Sequence, residues 1–123
     1  MTNARELKEA IIRKLEIGET EGHALLRVKE RLGIKKRSAV LRLLRKVIEN
    51  GVISYANINE VYFVYKRNVF PFKIARPFDP VEEKPKRLFL RTVLTPNHVS
   101  EKKLYLKGAL VGTQSMSSFA FVA

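Results

Sequence analysis

The chain has no cysteine and no tryptophan, and among its 123 residues it holds one glutamine, one aspartate (Asp79) and two histidines (His23 and His98). Without cysteine there is no disulfide framework and no thiolate zinc site. His23 and His98 then read as surface or capping residues, and no metal site is expected. A lone aspartate is a poor start for the carboxylate cluster with which nucleases gather metal ions, and the adjacent pair Glu82–Glu83 lies in a proline-rich stretch that faces solvent. There is also no glycine-rich phosphate loop ending in Lys-Ser/Thr, no His-Glu-x-x-His and no nucleophile elbow. The expectation is therefore a non-enzyme with no catalytic residue and no cofactor.

Long apolar runs are missing too. The longest charge-free stretch, Gly108 to Ala123, is 16 residues and contains Thr113-Gln114-Ser115, too short and too polar to span a bilayer. Glu6 and Glu9 interrupt the apolar pattern at the start, unlike a signal peptide. An intracellular, cytoplasmic protein without a membrane partner is expected.

Positive charge is in excess: 24 Lys and Arg against 12 Asp and Glu leave +12, with a pI near 10.2. Its placement is uneven. Residues 27 to 46 carry nine cations (Arg27, Lys29, Arg31, Lys35, Lys36, Arg37, Arg42, Arg45, Lys46) and one acid, Glu30, so a net +8 sits in twenty residues. So local a field attracts a polyanion, and nucleic acid is the commonest.

Hydrophobic spacing divides the chain. Asn3 and Glu6 have capping-box spacing, and Leu7, Ile11 and Leu15 recur until Gly18, which predicts a first helix over 4–17. Thr20 or Gly22 can cap a second, with Leu25, Val28 and Leu32 on one face and Gly33 ending it. Ser38 can cap a third, whose inward stripe is Val40, Leu41, Leu44, Val47 and Ile48 and which ends at Asn50–Gly51. The period then changes to two: Val52–Tyr55 and Val61–Tyr65, joined by a turn around Asn57 and Asn59, predict a β-hairpin with Lys66 and Arg67 at its base. Tyr55, Tyr62, Phe63 and Tyr65 could stack on single-stranded bases, but a hairpin packed on three helices needs aromatics in its core.

Pro71, Pro77, Pro80 and Pro85 deny central strands and helix interiors their donors, so residues 68–87 read as a connector, packed through Phe70, Phe72, Ile74 and Phe78. Residues 88–123 read as a mainly β extension, with strands at Leu88–Leu94 and Phe119–Val122 and an ambiguous Ser100–Leu110 between them. Those two apolar strands lack partners in this reading, which makes them the expected homodimer surface.

The run Val28 to Ile34, then Val40 and Leu44, then Val47-Ile48-Glu49-Asn50-Gly51-Val52-Ile53 resembles the core of winged helix-turn-helix DNA-binding proteins. In character it is similar to small archaeal and archaeal-virus transcription regulators. The resemblance covers about residues 4–67. It implies an α+β fold, three helices and a hairpin wing over residues 1–67, with double-stranded DNA as partner, in a host cell if the source is viral. Scarce glutamine and abundant Ile, Val, Leu, Lys, Arg and Glu lean towards a thermophile.

In this family the third helix enters the major groove, which is about 12 Å wide and admits one helix. Arg37, Ser38 and Arg42 are then the candidates for base readout, because arginine can donate two parallel bonds to the N7 and O6 acceptors of guanine. Lys35, Lys36, Arg45 and Lys46, with Arg27, Lys29 and Arg31 of the second helix, are candidates for phosphate. The wing turn, Ala56 to Glu60, has no Lys or Arg, so only Asn57 and Asn59 are left to touch the backbone there. A basic helix face can also be merely solvated. Two other readings stay open: a low-specificity duplex binder serving replication or chromatin, and an RNA-binding winged helix.

Overall fold

The computed structural model describes residues 4–96, which form three helices and a five-stranded mixed sheet. Expectations for His98, Ser100–Leu110 and Phe119–Val122 lie outside the described residues. The helices are α1 (Ala4–Arg13), α2 (Gly22–Leu32) and α3 (Arg37–Asn50). The strands are β1 (Glu16–Ile17), β2 (Val52–Ala56), β3 (Glu60–Tyr65), β4 (Asn68–Ala75) and β5 (Arg87–Leu90). In space they run β1-β5-β4-β3-β2, antiparallel throughout except for the β1–β5 pair.

Periodicity located α2, α3 and the β2–β3 hairpin, but the first helix is shorter than 4–17. It stops at Arg13, and Glu16 and Ile17 pair in parallel with Arg87 and Leu88. The Gly18 amide continues this edge by donating to the Leu88 carbonyl at 2.8 Å. The face of α1 turned to the core also differs: Ile12 is buried, whereas Leu7 and Ile11 are each 56% exposed. The residues before α2 and α3 are Glu21 and Lys36, and neither makes a side-chain cap, so Thr20, Gly22 and Ser38 do not act as caps. Gly33 does end α2, in the left-handed conformation (φ 69°).

The larger departure is at residues 68–75. They form a central strand, not a connector, and Pro71 stands opposite Tyr62 within it. The Pro71 carbonyl accepts the Arg91 amide at 2.9 Å. A strand residue's nitrogen and carbonyl point to the same neighbour, so the missing donor faces the β5 side just past Leu90, where that strand has ended. No bond to β3 is lost. Phe70, Phe72 and Ile74 are buried as expected, but Phe78 is 91% exposed in the loop between β4 and β5. There Asp79 accepts the amides of Val81 and Glu82, which hold its carboxyl below the usual range.

Leu88–Leu94 also differs from expectation. Leu88, Leu90 and Val93 are buried in the main core, and Leu94 is buried against Tyr62 and Val69 and exchanges both backbone bonds with Val69, so this segment is no free dimer surface. Its partners, β1 and β4, come from distant parts of the chain.

One sheet face packs on the helices. Phe63, Phe70 and Phe72 are almost fully buried there with Val28, Val40, Leu44 and Val47. Phe63 meets Phe72 edge-on at 5.6 Å, so these aromatics belong to the core. Burial of each such ring is worth about 1.5–3 kcal/mol.

The joint between α3 and β2 is a single residue. Gly51 has an ordinary extended backbone (φ −70°, ψ 160°), and glycine is required there for space. A Cβ would lie 2.4 Å from the Val47 carbonyl oxygen and 3.2 Å from that of Val64. Arg13 closes the joint from α1: its guanidinium donates to the carbonyls of Ile48 and Gly51 and lies 5.5 Å from the centre of the Phe63 ring. A cation at carbonyls left open by a helix C-terminus is favourable twice, by hydrogen bonding and by dipole.

Two expected outcomes follow from these packings. Gly51→Ala should lose about 2 kcal/mol, a fall of roughly 8–16 °C in Tm, because backbone oxygens cannot move aside. Gly18→Ala should lose less than half as much, since the atoms nearest its Cβ belong to the half-buried Phe89 ring, which can turn; equal losses in thermal melts would refute the contrast. The second outcome concerns Tyr62, whose phenol is pushed up to about 12, chiefly by burial and then by the Glu60 carboxylate. An unfolded tyrosine titrates near 10, so between roughly pH 10 and 12 the native state holds the extra proton and stability falls as pH rises. Tyr62→Phe should flatten that part of the alkaline loss in urea midpoints measured from about pH 9 to 12; parallel curves would count against it.

Candidate nucleic-acid interface

Helix α3 buries Val40, Leu44, Val47 and Ile48 and turns Arg37, Ser38, Arg42, Arg45 and Lys46 to solvent. Leu41 stands at the boundary, 36% exposed, and Ala39 is half-buried. Ser38, Arg42 and Arg45 are three and four residues apart, so they stand in line on the outward face, with Lys46 beside Arg42. Among the described residues, none of Arg37, Arg42, Arg45 and Lys46 is within ion-pair distance of a carboxylate.

At the N-terminal end of α3 the charge opposes the helix dipole. Lys36 precedes the first turn and Arg37 opens it, the first turn holds no acid, and the last turn holds no base. Cations at a helix N-terminus are unfavourable by about 0.3–1 kcal/mol each, so this order does not serve α3 by itself. An anion placed there reverses the sign. At that end Glu19 and Glu21 lie close together: the Glu19 carboxylate raises the pKa of Glu21 by hydrogen bonding and charge, and Arg37 works against the shift. Glu21 is therefore near enough to Arg37 to feel its charge.

The second helix contributes less than its composition promises. Arg27 is engaged by Glu30 at 2.8 Å and by His23 Nε2 at 3.2 Å. Arg31 reaches back and donates to the Val93 carbonyl at 2.8 Å. Lys29 is exposed, as are Lys35 and Lys36 in the α2–α3 turn. The three α2 cations therefore divide into a surface pair within the helix, a tether to the segment after β5, and one exposed charge.

The turn between β2 and β3 is used up internally. Asn57 Oδ1 accepts the amides of Asn59 and Glu60, and its Nδ2 donates to the Tyr55 hydroxyl at 3.0 Å. The Asn59 carbonyl accepts the Ile74 amide at 2.7 Å, while its side chain is exposed beside Ile58. Asn57 is thus a turn former, and Asn59 alone of the pair presents its side chain freely.

Sequence reasoning placed Lys66 and Arg67 at the base of a hairpin. They are instead the two central residues of the tight β3–β4 turn, both with positive φ (47° and 68°). Lys66, Tyr65 and Asn68 form one wall of a groove whose other wall is Ala39, Arg42 and Lys46 of α3. The available signal was the alternation Val69-Phe70-Pro71-Phe72-Lys73-Ile74, which the proline masked.

Among the described residues, no three His, Asp or Glu converge as metal ligands, and no helix is long and apolar enough to cross a membrane. In comparison with known proteins, no family model, no curated protein and no solved structure matches the chain.

Arg31 and Lys29 separate by stability. Arg31→Ala should lose about 1.5–3 kcal/mol in urea unfolding, the range for a charged hydrogen bond whose acceptor is left behind, whereas Lys29→Ala should stay within about 0.5 kcal/mol of the parent. A near-neutral Arg31→Ala would show that the bond to Val93 is not structural.

Proposed function

We propose that this protein binds double-stranded DNA through the outward face of α3 and regulates transcription by doing so, without catalysing a reaction. The observation that carries the reading is the set of exposed α3 side chains, Arg37, Ser38, Arg42, Arg45 and Lys46, whose cations are not within ion-pair distance of any carboxylate among the described residues. A helix of 14 residues is about 21 Å long, enough to lie along a major groove whose width admits it. The three-helix and hairpin order that resembles winged helices supports the same docking, since there the third helix is the reading element.

In this reading Arg37, Ser38 and Arg42 face base edges. Arg42 is the principal reader, because it stands mid-face with Ser38, Arg45 and Lys46, whereas Arg37 lies at the helix end near Glu21. Lys29, Lys35, Lys36, Arg45 and Lys46 meet phosphates. Five such contacts correspond to a slope of about −4.5 for log K against log salt. Arg27 and Arg31 leave the phosphate set, since both are held within the protein.

The test pairs Arg42→Ala with Lys46→Ala on duplexes selected from a random pool and on random duplex. Arg42→Ala should lower the ratio of selected to random affinity, a loss of about 1–3 kcal/mol in discrimination. Lys46→Ala should weaken both duplexes alike and reduce the salt slope by about 0.9. A parent ratio near one would replace the regulator by a low-specificity duplex binder, and preference for structured RNA in competition would reject DNA as the partner.

A further inference from the structure

The β3–β4 turn carries the positive charge that the β2–β3 turn lacks. Its two central residues are Lys66 and Arg67, and both side chains are exposed. Neither is within ion-pair distance of a carboxylate among the described residues, and the Lys66 ammonium rests 5.4 Å from the centre of the Tyr65 ring, which supports it without neutralising it. The groove it forms with α3 takes three cations, Arg42, Lys46 and Lys66, and no acid.

The backbone of this turn is also costly. Both residues adopt the left-handed conformation that a two-residue hairpin demands. Asn-Gly fits such a turn with little strain, whereas Lys and Arg hold it against steric repulsion from their own Cβ atoms. Charge stands where the fold alone would favour Asn-Gly.

We propose that the β3–β4 turn is a second DNA-binding element, in which Lys66 and Arg67, with Lys46 across the groove, grip phosphodiester oxygens of the duplex whose major groove α3 enters. The proposal rests on the duplex reading above and adds a backbone clamp beside α3. It assigns the wing's task to this turn, because the β2–β3 turn has no cation and its Asn57 is occupied by turn bonds. The groove opens on the Arg42–Lys46 side of α3, so one backbone strand can lie between the helix and the turn while Arg42 reaches a base. Phosphate contacts of this kind add affinity and register without sequence selection.

The deciding variant is the full chain with Lys66→Asn and Arg67→Gly together, which removes both charges and puts the favoured residues into the turn. Its Tm should equal or exceed that of the parent, so weaker binding cannot be blamed on misfolding. Its salt slope should be smaller by about 1.8, two contacts at 0.9 each, so the affinity lost between roughly 50 and 200 mM salt should shrink about twelvefold. The ratio of selected to random duplex affinity should stay unchanged. A parent-like slope in this folded variant, with Arg42→Ala still impairing discrimination, would overturn the clamp and leave the α3 reading standing. A parent that binds no duplex would overturn both.

Discussion

The passage from α3 into β2 through Gly51 is the constraint on which the remaining geometry depends. With one residue between helix and strand, neither element can be reoriented without the other, and the absence of a side chain lets the Val47 and Val64 carbonyls close around the joint. Arg13 binds the same corner from outside, using the carbonyls that the end of the helix leaves unpaired. The outward face of α3 is therefore held at a set angle to the sheet. A rigid helix presents charges in a defined row, where a mobile one would average them.

From that joint the sheet extends to β4, and the β3–β4 turn comes to lie beside the exposed face of α3. The protein thus places two cationic elements from different parts of the chain on either side of one groove. Their charges oppose local stability: α3 carries cations at its positive end, and the turn carries Lys and Arg in conformations suited to Asn and Gly. Both features weaken the isolated protein, and an anion bound there would offset the first of them. That is the pattern expected where function overrides local preference.

Other cations are used internally, and charge counts alone cannot tell the two kinds apart. Arg13 and Arg31 satisfy carbonyls and join elements, Arg27 pairs with Glu30 within α2, and Arg91 pairs with Glu60 at 3.2 Å beside the β2–β3 turn. The concentration of +8 in residues 27–46 marks the exposed cationic face of α3, but in α2 Arg27 and Arg31 are engaged by other groups of the protein.

What the sequence by itself determined is the local part: α2 with its Gly33 stop, α3 with its inward stripe of Val40, Leu44, Val47 and Ile48, the β2–β3 hairpin, and the candidate face of Arg37, Ser38 and Arg42. These follow from period and turn chemistry, which act over a few residues. Tertiary structure alone decided that Glu16–Ile17 is a strand, since its partner at Arg87–Leu88 lies some seventy residues away. It also decided that β4 runs through Pro71, because a strand tolerates proline only where its neighbour has ended, and where β5 ends is not written near residue 71. The roles of Arg31 and Lys66 belong to the same class: each depends on what lies across space, a carbonyl at Val93 or the cations of α3, and no local pattern encodes that distance.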